Sequence, residues 1–346
     1  MQEIRDRDAD ILCLQEIATD TFRDFFSPDL AAYDYKGIHW PRPKAKTMSE
    51  KDAQAVDGCA IFYKASKYML LDKQLIDYAT IAINRPDMKN QHDIFNRVMP
   101  KDNIGIICLF ESRGTGARMI VANTHLAWEP TLADVKLVQT AILMENVTKL
   151  AEKYSRFPPC KDKKMIQIPT GEDEEQEKPK DLPEPAPSQE YRNNTDIPLF
   201  VCGDYNSTAD SSVYELLSEG RVSPEHPELA PFQYGTFTRD GIEHPFSLRS
   251  AYVHLNGTPD ELSFTNYVPG FAQVIDYIWY STNTLEVVEL LGPPDRQHLK
   301  RVPGFPNYHF PADHIQIMAE FVIKARKDKK AITEPDFGSG SGDRRG

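Results

Sequence analysis

The stretch Pro198–Ser207, "PLFVCGDYNS", passes from an apolar segment directly into polar residues. Leu199 to Cys202 are typical of a strand that is buried on both faces. Asp204 and Asn206 follow one residue apart, so in a continuing strand their side chains would point to the same side. A turn is the simple interpretation, because Asp, Asn and Ser are common turn residues. The alternative is a site for a hard cation and a phosphate, which needs partners from elsewhere in the chain.

The composition of the chain limits the class of protein. Its 346 residues with 40% hydrophobic content can bury a sizeable core. A formal net charge of -12 argues against a basic, sequence-independent nucleic-acid surface, and we expect no DNA partner. The five cysteines show no metal-ligand spacing. The charged opening "MQEIRDRDAD" is unlike a signal peptide, and no apolar run could span a bilayer, so we expect a protein of the cytoplasm, and also of the nucleus, without a membrane.

Apolar, β-branched runs of strand length recur along the chain. Helical periodicity extends from Leu132 to Tyr154, and a second helix is predicted to begin with Asp210 as its N-cap and to end near Gly220. Mixed strands and helices without a repeat predict an α/β or α+β fold. The strand-like runs are Asp10–Leu14, Cys59–Tyr63, Ile104–Phe110, Met119–Leu126, Leu199–Cys202, Val274–Tyr280 and Ile315–Val322.

Two segments depart from this pattern. From about 158 to 196 the chain is rich in Pro, Glu, Lys and Gln, and residues 171–190 contain eight acids and two bases. Such a composition predicts a disordered acidic insert before the strand that leads to Asp204. Residues 327–346, which end in "GSGSGDRRG", are predicted to form a flexible tail. We therefore expect a single domain over 1–326 that carries this insert.

Polar residues also follow or lie late in two other apolar runs, and they occur inside a third and just before a fourth. Taken singly, each such residue has an ordinary structural explanation, such as a helix start or a buried histidine with a partner. Several strands that deliver carboxylates, amides and imidazoles to one edge, however, predict a concave polar site. Because most of these ligands are oxygens, Mg²⁺ or Mn²⁺ is favoured over Zn²⁺, and phosphoester hydrolysis is the chemistry that suits them. The residues are Gln15 and Glu16 in "DADILCLQEI", Asn123 and His125 in "MIVANTHLAWEP", Asp276 in "VIDYIWYS", and Asp313 and His314 in "HFPADHIQIMAEF".

In this order, "LCLQEI", "NTHL", "GDYNS", "IDYIWY" and "PADH" resemble the exonuclease–endonuclease–phosphatase superfamily. The resemblance implies a DNase-like, four-layered α/β sandwich of two packed mixed sheets flanked by helices. With "VDGCAIFYK" and "DVKLVQ", the chain is most similar to the carbon-catabolite-repression family of poly(A) deadenylases, the nuclease subunits of Not-type deadenylase complexes. That similarity implies an Mg²⁺-dependent 3′-to-5′ exoribonuclease that shortens mRNA poly(A) tails, releases 5′-AMP and associates with other subunits of such a complex.

The resemblance also assigns roles to the polar residues. Glu16, Asp204 and Asp313 match acids that bind the metal, with two ions of Mg²⁺ or Mn²⁺ expected. Asp204 and Asn206 match the pair that positions the scissile phosphate and the attacking water. His314 matches a histidine that donates a hydrogen bond to the phosphate.

Further matching residues support that histidine and the substrate. Asp276 matches the carboxylate that orients His314 and keeps it protonated, and His125 matches a further phosphate contact. Single-stranded poly(A) is held by base stacking, and Phe271 and Pro130 match the aromatic and the proline that flank the adenine. Asn123 is expected to line the same pocket, together with Trp128 and the substrate-contacting Asn206.

The start of the chain departs from the family, and two alternative functions stay open. Family members begin with a strand that carries a metal-site asparagine, whereas this chain begins at Met1 inside the following helix. We therefore expect the sheet to lack its first strand and the chain to lack the leucine-rich repeats that dock the family to its complex. One alternative is a nocturnin-like phosphatase acting on a nicotinamide dinucleotide phosphate. The other is a truncated, non-catalytic fragment that acts only as a binding module.

Overall fold

The computed structural model describes residues 1–157, 184–253, 262–308 and 310–325. Its strands are β1 (Ile11–Ala18), β2 (Tyr35–Pro41), β3 (Asp57–Lys64), β4 (Tyr68–Asp77), β5 (Ile104–Ser112), β6 (Arg118–His125), β7 (Leu199–Asp204), β8 (Arg221–Val222), β9 (Ile242–Glu243), β10 (Leu248–Ser250), β11 (Asn266–Val268), β12 (Phe271–Gln273), β13 (Asp276–Ser281), β14 (Leu285–Leu290) and β15 (Ala319–Ile323).

The α-helices are α1 (Gln2–Arg7), α2 (Thr19–Thr21), α3 (Ser27–Ala31), α4 (Glu50–Gln54), α5 (Tyr78–Asn84), α6 (Ala133–Ser155), α7 (Ser212–Glu219), α8 (Thr236–Asp240) and α9 (Arg296–Leu299). Short π-helical segments occur at Phe22–Phe26 and Ile94–Val98, and 3-10 turns at Pro43–Thr47 and Asn194–Asp196.

The longer strands form two sheets. The smaller sheet has the order β1-β3-β2, and the larger has the order β10-β13-β7-β6-β5-β4. Within both sheets, β6 and β7 form the one parallel pair, and the other neighbouring strands of the described residues run antiparallel. Hairpins β8–β9, β11–β12 and β14–β15 lie outside the two sheets.

Apolar side chains on alternate strand positions pack the two sheets against each other. Ile61 of the smaller sheet belongs to the same buried apolar cluster as Ile106 and Val121 of the larger sheet. The opposite face of the larger sheet is covered by α6, whose Val138 and Ile142 are fully buried. On the outer face of the smaller sheet, the helices that surround β1 complete a fourth layer. The predicted four-layered α/β sandwich is therefore confirmed.

The predicted helices agree with the structure to within a few residues. The periodicity over Leu132–Tyr154 corresponds to α6. The second helix, α7, uses Ser211 as its N-cap, and the Ser211 hydroxyl accepts a hydrogen bond from the Tyr214 N–H. The prediction of Asp210 as the cap is wrong because its carboxylate accepts a hydrogen bond from the Thr208 hydroxyl instead. Gly220 ends the helix in the left-handed conformation, with φ 77°.

The predicted disordered insert is ordered in its second part. Residues 158–183, like the predicted tail 327–346, lie outside the described residues, but residues 184–196 pack along the end of β5 and β6. Tyr191 is 8% exposed, and its hydroxyl oxygen lies 2.6 Å from the Arg118 amide nitrogen, which donates to it. Asn193 and Asp196 cap a short 3-10 turn. The prediction of disorder is wrong for residues 184–196. Their proline-rich composition is typical of disordered segments, but a few residues, such as Tyr191, make specific contacts that hold the segment in place.

One edge of β1 is open. β1 pairs with β3, and no strand among the described residues pairs with its other side. A cavity of about 920 Å³ adjoins this edge and extends to the polar ends of β7 and β13. That the sheet lacks the first strand of the family stays a prediction. Among the described helices, none combines the length and the apolar character needed to cross a bilayer.

Candidate active site

Three neighbouring strands of the larger sheet carry polar residues at directly paired positions. The register places His125 of β6 beside Asp204 of β7, and Asp204 beside Asp276 of β13. Directly paired positions project to the same face of a sheet. The three side chains therefore converge at one edge of the sheet, on the face that meets the smaller sheet.

Gly203 allows β7 to approach β6 closely enough for this convergence. Its φ is +150°, and a Cβ atom at this position would lie 2.1 Å from the Thr124 carbonyl oxygen. No other residue type fits this space without moving the backbone, so Gly203 is required at the position that precedes the site carboxylate.

His314 completes a cluster with the two aspartates. Its Nδ1 atom lies 2.7 Å from Asp276 Oδ2, and its Nε2 atom lies 3.9 Å from Asp204 Oδ2. The segment that carries His314 is held by a bridge to Asn266 of β11. The ligand atoms of Asp204, Asp276 and His314 all lie within 4.8 Å of one another. The structure therefore brings together three residues that are far apart in the sequence.

The charges of this cluster shift its protonation equilibria. Burial opposes protonation of His314, but the hydrogen bond with Asp276 and the charges of Asp276 and Asp204 outweigh it and raise the pKa of His314 to about 9. Burial, reinforced by the charge of Asp276, raises the pKa of Asp204 well above its ordinary value, against the opposing effect of His314. At neutral pH His314 is thus a cation beside a buried carboxylate.

His125 faces the same carboxylate from β6. Its Nε2 atom lies 3.4 Å from Asp204 Oδ2, and it also lines the cavity. On its other side, Arg42 Nη2 lies 3.5 Å from His125 Nδ1, and Arg42 Nε donates to Asp57 Oδ2 over 2.8 Å. Burial and the charge of Arg42 lower the pKa of His125 to about 4, so this imidazole is neutral at physiological pH. Arg42 was not identified from the sequence, where it follows a tryptophan and a proline without a recognisable motif.

A β-bulge delivers Glu16 to the cavity. The register of β1 with β3 shifts between Leu14 and Ile17, and Glu16 adopts a φ of 58°. Bulges change the direction of a side chain, and they are common next to active sites. Glu16 is exposed and lines the same cavity as Asp204 and His314. Glu16, the predicted metal ligand, therefore lines the same cavity as Asp204, Asp276 and His314. It is not one of these three residues, whose ligand atoms lie within 4.8 Å of one another.

Asp313 also lines this cavity, and it too lies outside the group formed by Asp204, Asp276 and His314. Its Oδ2 atom lies 3.3 Å from Asn266 Nδ2, which donates a hydrogen bond to it. The charge of Asp313 contributes to the raised pKa of His314. Its predicted role as a metal ligand stays a prediction.

Three contacts hold Asn206 next to Asp204. The Asn206 amide N–H donates to Asp204 Oδ1 over 2.8 Å, and its Nδ2 atom donates to the Leu126 carbonyl over 3.2 Å. Its own carbonyl accepts a hydrogen bond from Lys136 Nζ over 2.6 Å. The carboxamide oxygen Oδ1 has no protein partner among the described residues and is left to accept a hydrogen bond from another molecule.

Asn123 has a structural role, and its predicted contact with substrate is wrong. It is fully buried between the sheets, where Nδ2 donates to the carbonyls of Leu14 and Ala60, both over 2.9 Å. Its Oδ1 atom accepts a hydrogen bond from Gln15 Nε2 over 2.6 Å. The side chain has thus used its hydrogen-bonding groups to join β6 to β1 and β3, and it has no face open to a ligand.

The residues predicted to flank the adenine are on the surface. Phe271 is 43% exposed at the tip of the β11–β12 hairpin, and Pro130 is exposed in the loop before α6. Neither lines the cavity that contains Asp204. Trp128, at 69% exposure, follows Leu126 and Ala127, which are buried. The stacking role of Phe271 and Pro130 stays a prediction.

The donor set of the cavity fits a hard divalent cation. Carboxylate oxygens of Glu16, Asp204 and Asp313 line it, and a nearby cation would relieve the cost of burying the Asp204 carboxylate. His314 is a poor metal ligand despite its position, because its Nδ1 is engaged by Asp276 and the ring is protonated at neutral pH. Acidic oxygens would therefore bind the cation, and His314 would remain as a hydrogen-bond donor.

Comparison with known families supports this interpretation of the site. Residues 1–314 match the model of the Endonuclease/Exonuclease/phosphatase family. The chain belongs to this family. The match spans Glu16, Asp204, Asp276 and His314, so the Endonuclease/Exonuclease/phosphatase assignment covers all four of these candidate site residues.

Curated relatives and solved structures are also similar. The Neurospora crassa protein named CCR4-Not complex 3′-5′-exoribonuclease subunit Ccr4 is 82% identical over 95% of this chain and 42% of its own length. The protein of the same name from Phaeosphaeria nodorum is 56% identical over 97% of this chain and 55% of its own length. The chain thus spans about half the length of these relatives.

The solved structures are more distant in sequence. ANGEL2, a 2′,3′-cyclic phosphatase, aligns with a TM-score of 0.65 and 24% identity over 92% of this chain and 83% of its own. The human Nocturnin catalytic domain aligns with a TM-score of 0.57 and 21% identity over 93% of this chain and 84% of its own. At these identities the likeness shows the fold of the Endonuclease/Exonuclease/phosphatase family.

Proposed function

We propose that this chain is a magnesium-dependent 3′-to-5′ exoribonuclease that trims poly(A) RNA and releases 5′-AMP. The observation that carries the proposal is the pairing of cationic His314 with Asp276 beside the buried Asp204 carboxylate. A positive donor and an acidic cation site in one cavity suit a phosphodiester, whose negative charge grows in the transition state. The names of the relatives, which describe 3′-5′ exoribonuclease subunits, support the choice of RNA.

The residues divide the chemistry among them. Glu16 and Asp204 are the residues that would hold Mg²⁺, or Mn²⁺ in its place, with Asp313 available for a second ion. A metal bound there would act as a Lewis acid that polarises the phosphoryl oxygen. His314 is anchored through Nδ1, so its Nε2–H would donate to a non-bridging phosphate oxygen and stabilise the developing charge.

The remaining groups would orient the water and its proton. Asn206 Oδ1 would accept a hydrogen bond from the attacking water, because its Nδ2 is already bonded to the Leu126 carbonyl. The Asp204 carboxylate, which lies beside His125 and His314, would accept the proton of the attacking water. His125, neutral and buried beside Asp204, would donate one hydrogen bond to Asp204 or to the phosphate.

The substrate and the partners follow from the same proposal. Phe271 and Pro130 would hold the terminal adenine by stacking, a contact that accepts single-stranded RNA. The names of the relatives place them in the CCR4-Not complex, and we extend membership of such a complex to this chain, with action in the cytoplasm and the nucleus. The convergence of His125, Asp204, Asp276 and His314 on one edge of the sheet favours an enzyme over a binding module.

The experiment compares substrates and identifies the product. The purified chain is incubated with 5′-labelled A20 RNA, U20 RNA and a nicotinamide dinucleotide 2′-phosphate, each with Mg²⁺ or with EDTA. The proposal expects a ladder of shortened A20, 5′-AMP by mass spectrometry, slower trimming of U20, and no reaction in EDTA. Release of inorganic phosphate from the dinucleotide, with A20 left intact, would instead support the nocturnin-like alternative. Inertness of the purified chain toward all three substrates would support the binding module.

A further inference from the structure

Lys136 is a buried cation directly behind the site. It lies on the first turn of α6, is 5% exposed, and donates from Nζ to the Asn206 carbonyl over 2.6 Å. An ammonium group has three donors, and burying it is costly unless those donors are used. Among the described residues, the Asn206 carbonyl is its one hydrogen-bond acceptor. A lysine retained only for packing would be replaced by an apolar side chain at less cost, so this contact calls for another explanation.

The contact stabilises an unusual backbone conformation. Asn206 has a φ of 47°, a left-handed conformation that L-residues seldom adopt outside turns. Its carbonyl oxygen is turned toward α6 rather than toward a strand, and Lys136 provides the donor there. The charge of Lys136 also lies near Glu228 and Asp204, whose negative charges oppose the effect of burial on the pKa of this lysine.

The conformation of Asn206 decides where its carboxamide points. The backbone N–H is fixed by Asp204, the side-chain Nδ2 by Leu126, and the carbonyl by Lys136, so each contact comes from a different element. Removal of the Lys136 contact frees the peptide that follows Asn206. Without that anchor the residue can leave its φ of 47°, and a change in φ turns the Cα–Cβ bond and redirects the carboxamide.

We propose that Lys136 is a positioning residue that acts through Asn206: its ammonium holds the Asn206 backbone so that the carboxamide oxygen faces the reacting phosphate and water. The proposal rests on the proposed nuclease function for its kinetic consequence, but the structural link between the two residues can be measured without any substrate. Lys136 itself does not touch the substrate in this proposal.

The test is a double-mutant cycle. Lys136→Met removes the ammonium and keeps the length of the side chain, while Asn206→Gly removes the carboxamide and accepts the left-handed backbone. We expect Lys136→Met to lower kcat on A20 RNA at least tenfold, with KM changed less than threefold. In the Asn206→Gly background the same substitution should change kcat less than threefold. Lys149→Met, an exposed lysine on the same helix, is the matched control and should leave kcat unchanged.

A second readout does not depend on activity. Asparagine-selective ¹⁵N labelling and NMR report the Asn206 carboxamide, assigned by its loss in Asn206→Gly. We expect Lys136→Met to shift this signal and to accelerate its hydrogen exchange at least tenfold, with Lys149→Met unchanged. If Lys136→Met fails to fold, Lys136→Leu, which also has no donor, is measured by the same criteria.

The outcomes separate this proposal from the function it rests on. Equal losses of kcat in the two backgrounds, or an unperturbed Asn206 signal in a folded Lys136 variant, would overturn the role of Lys136. If the unsubstituted protein does not trim RNA, the proposed function fails, and the NMR comparison alone still decides whether Lys136 positions Asn206.

Discussion

Asp276 Oδ2 and His314 Nδ1 lie 2.7 Å apart, although 38 residues separate them in the chain. The short contact fixes both the orientation and the charge of the imidazole, because an anion at Nδ1 favours the protonated ring. His314 Nε2 is thereby left as a donor that faces the cavity. The relationship between these two residues therefore defines the electrostatic character of the site.

Removal of that anion should lower the pKa of His314. In Asp276→Asn we expect the pKa, about 9 in the intact protein, to fall toward the ordinary histidine value near 6.5. Titration of the histidine ring signals by NMR in EDTA measures this directly. Asp240→Asn, which changes an exposed carboxylate paired with Arg239, is the control and should leave the titration unchanged.

The same pair determines how stability depends on pH. The pKa of His314 is higher in the folded than in the unfolded protein, so its stabilising contribution is complete below about pH 6.5 and is lost as pH rises through about 9. The difference in unfolding free energy between the intact protein and Asp276→Asn should accordingly shrink over this range. Urea unfolding between pH 6 and pH 9.5 checks this trend, and a constant difference would contradict it.

Gly203 should be intolerant of any side chain. An alanine Cβ would meet the Thr124 carbonyl at 2.1 Å, and relief of this clash separates β7 from β6. We expect Gly203→Ala to destabilise the fold by about 3 kcal/mol or more, by analogy with other overpacked positions. Gly114→Ala is the matched control, since no atom lies within 4 Å of its Cβ position. Thermal unfolding of both variants gives the comparison, and equal melting temperatures would contradict the argument.

Tyr191 anchors the segment that leads into β7. Its buried hydroxyl bonds to the Arg118 amide, so Tyr191→Phe should leave that N–H without its partner and destabilise the protein by about 1–2 kcal/mol. The exposed Tyr33→Phe substitution serves as a control of the same chemistry. Unfolding in urea distinguishes the two, and a neutral Tyr191→Phe would mean that this segment contributes little to stability.

Phe271 tests the origin of base preference. If it stacks on the terminal adenine, Phe271→Ala should lose about 1–3 kcal/mol of binding, which is roughly five- to 150-fold in kcat/KM on A20. The preference for A20 over U20 should decline with it, while Mn²⁺ binding stays the same. Phe25→Ala, an exposed aromatic on the helical layer of the smaller sheet, is the control. An unaltered base preference in Phe271→Ala would exclude stacking by this ring.

The sequence predicted the fold and the main site residues in two steps. Apolar runs with polar residues at or near their ends indicated a mixed α/β fold with a polar site, and the resemblance to the family implied the four-layered sandwich and the roles of the residues. Apolar runs that contain or end in polar residues identified β6, β7 and β13, whereas the pairing of His125 with Asp204 became visible only in the structure. Asn123 lies two residues before His125 on the same face of β6, and it was misassigned because alternation does not distinguish a side chain inside the sandwich from one at its open edge. Its complete burial is a consequence of how the sheets pack.

Tertiary contacts explain what the sequence could not show. Arg42 reaches His125 from the position just after β2, and Lys136 reaches Asn206 from α6. Neither pair has a periodic or local signature in the sequence. The composition of residues 184–196 predicted disorder, yet a few side chains such as Tyr191 are sufficient to anchor the segment. Glu16 occupies its position through a bulge, which depends on pairing with β3 rather than on the residues of β1 alone.

The most direct measurement of the central claim is the effect of Asp204→Asn on Mg²⁺-dependent release of 5′-AMP from A20 RNA, with Asp210→Asn as the exposed control four residues from Asn206. The amide retains the size of the carboxylate and removes its charge. We predict a loss of at least 10³-fold in kcat for Asp204→Asn, a magnitude typical of groups at the reacting centre, and an unchanged rate for Asp210→Asn. Trimming by Asp204→Asn at the rate of the intact protein would contradict the assignment of this cavity as the catalytic site.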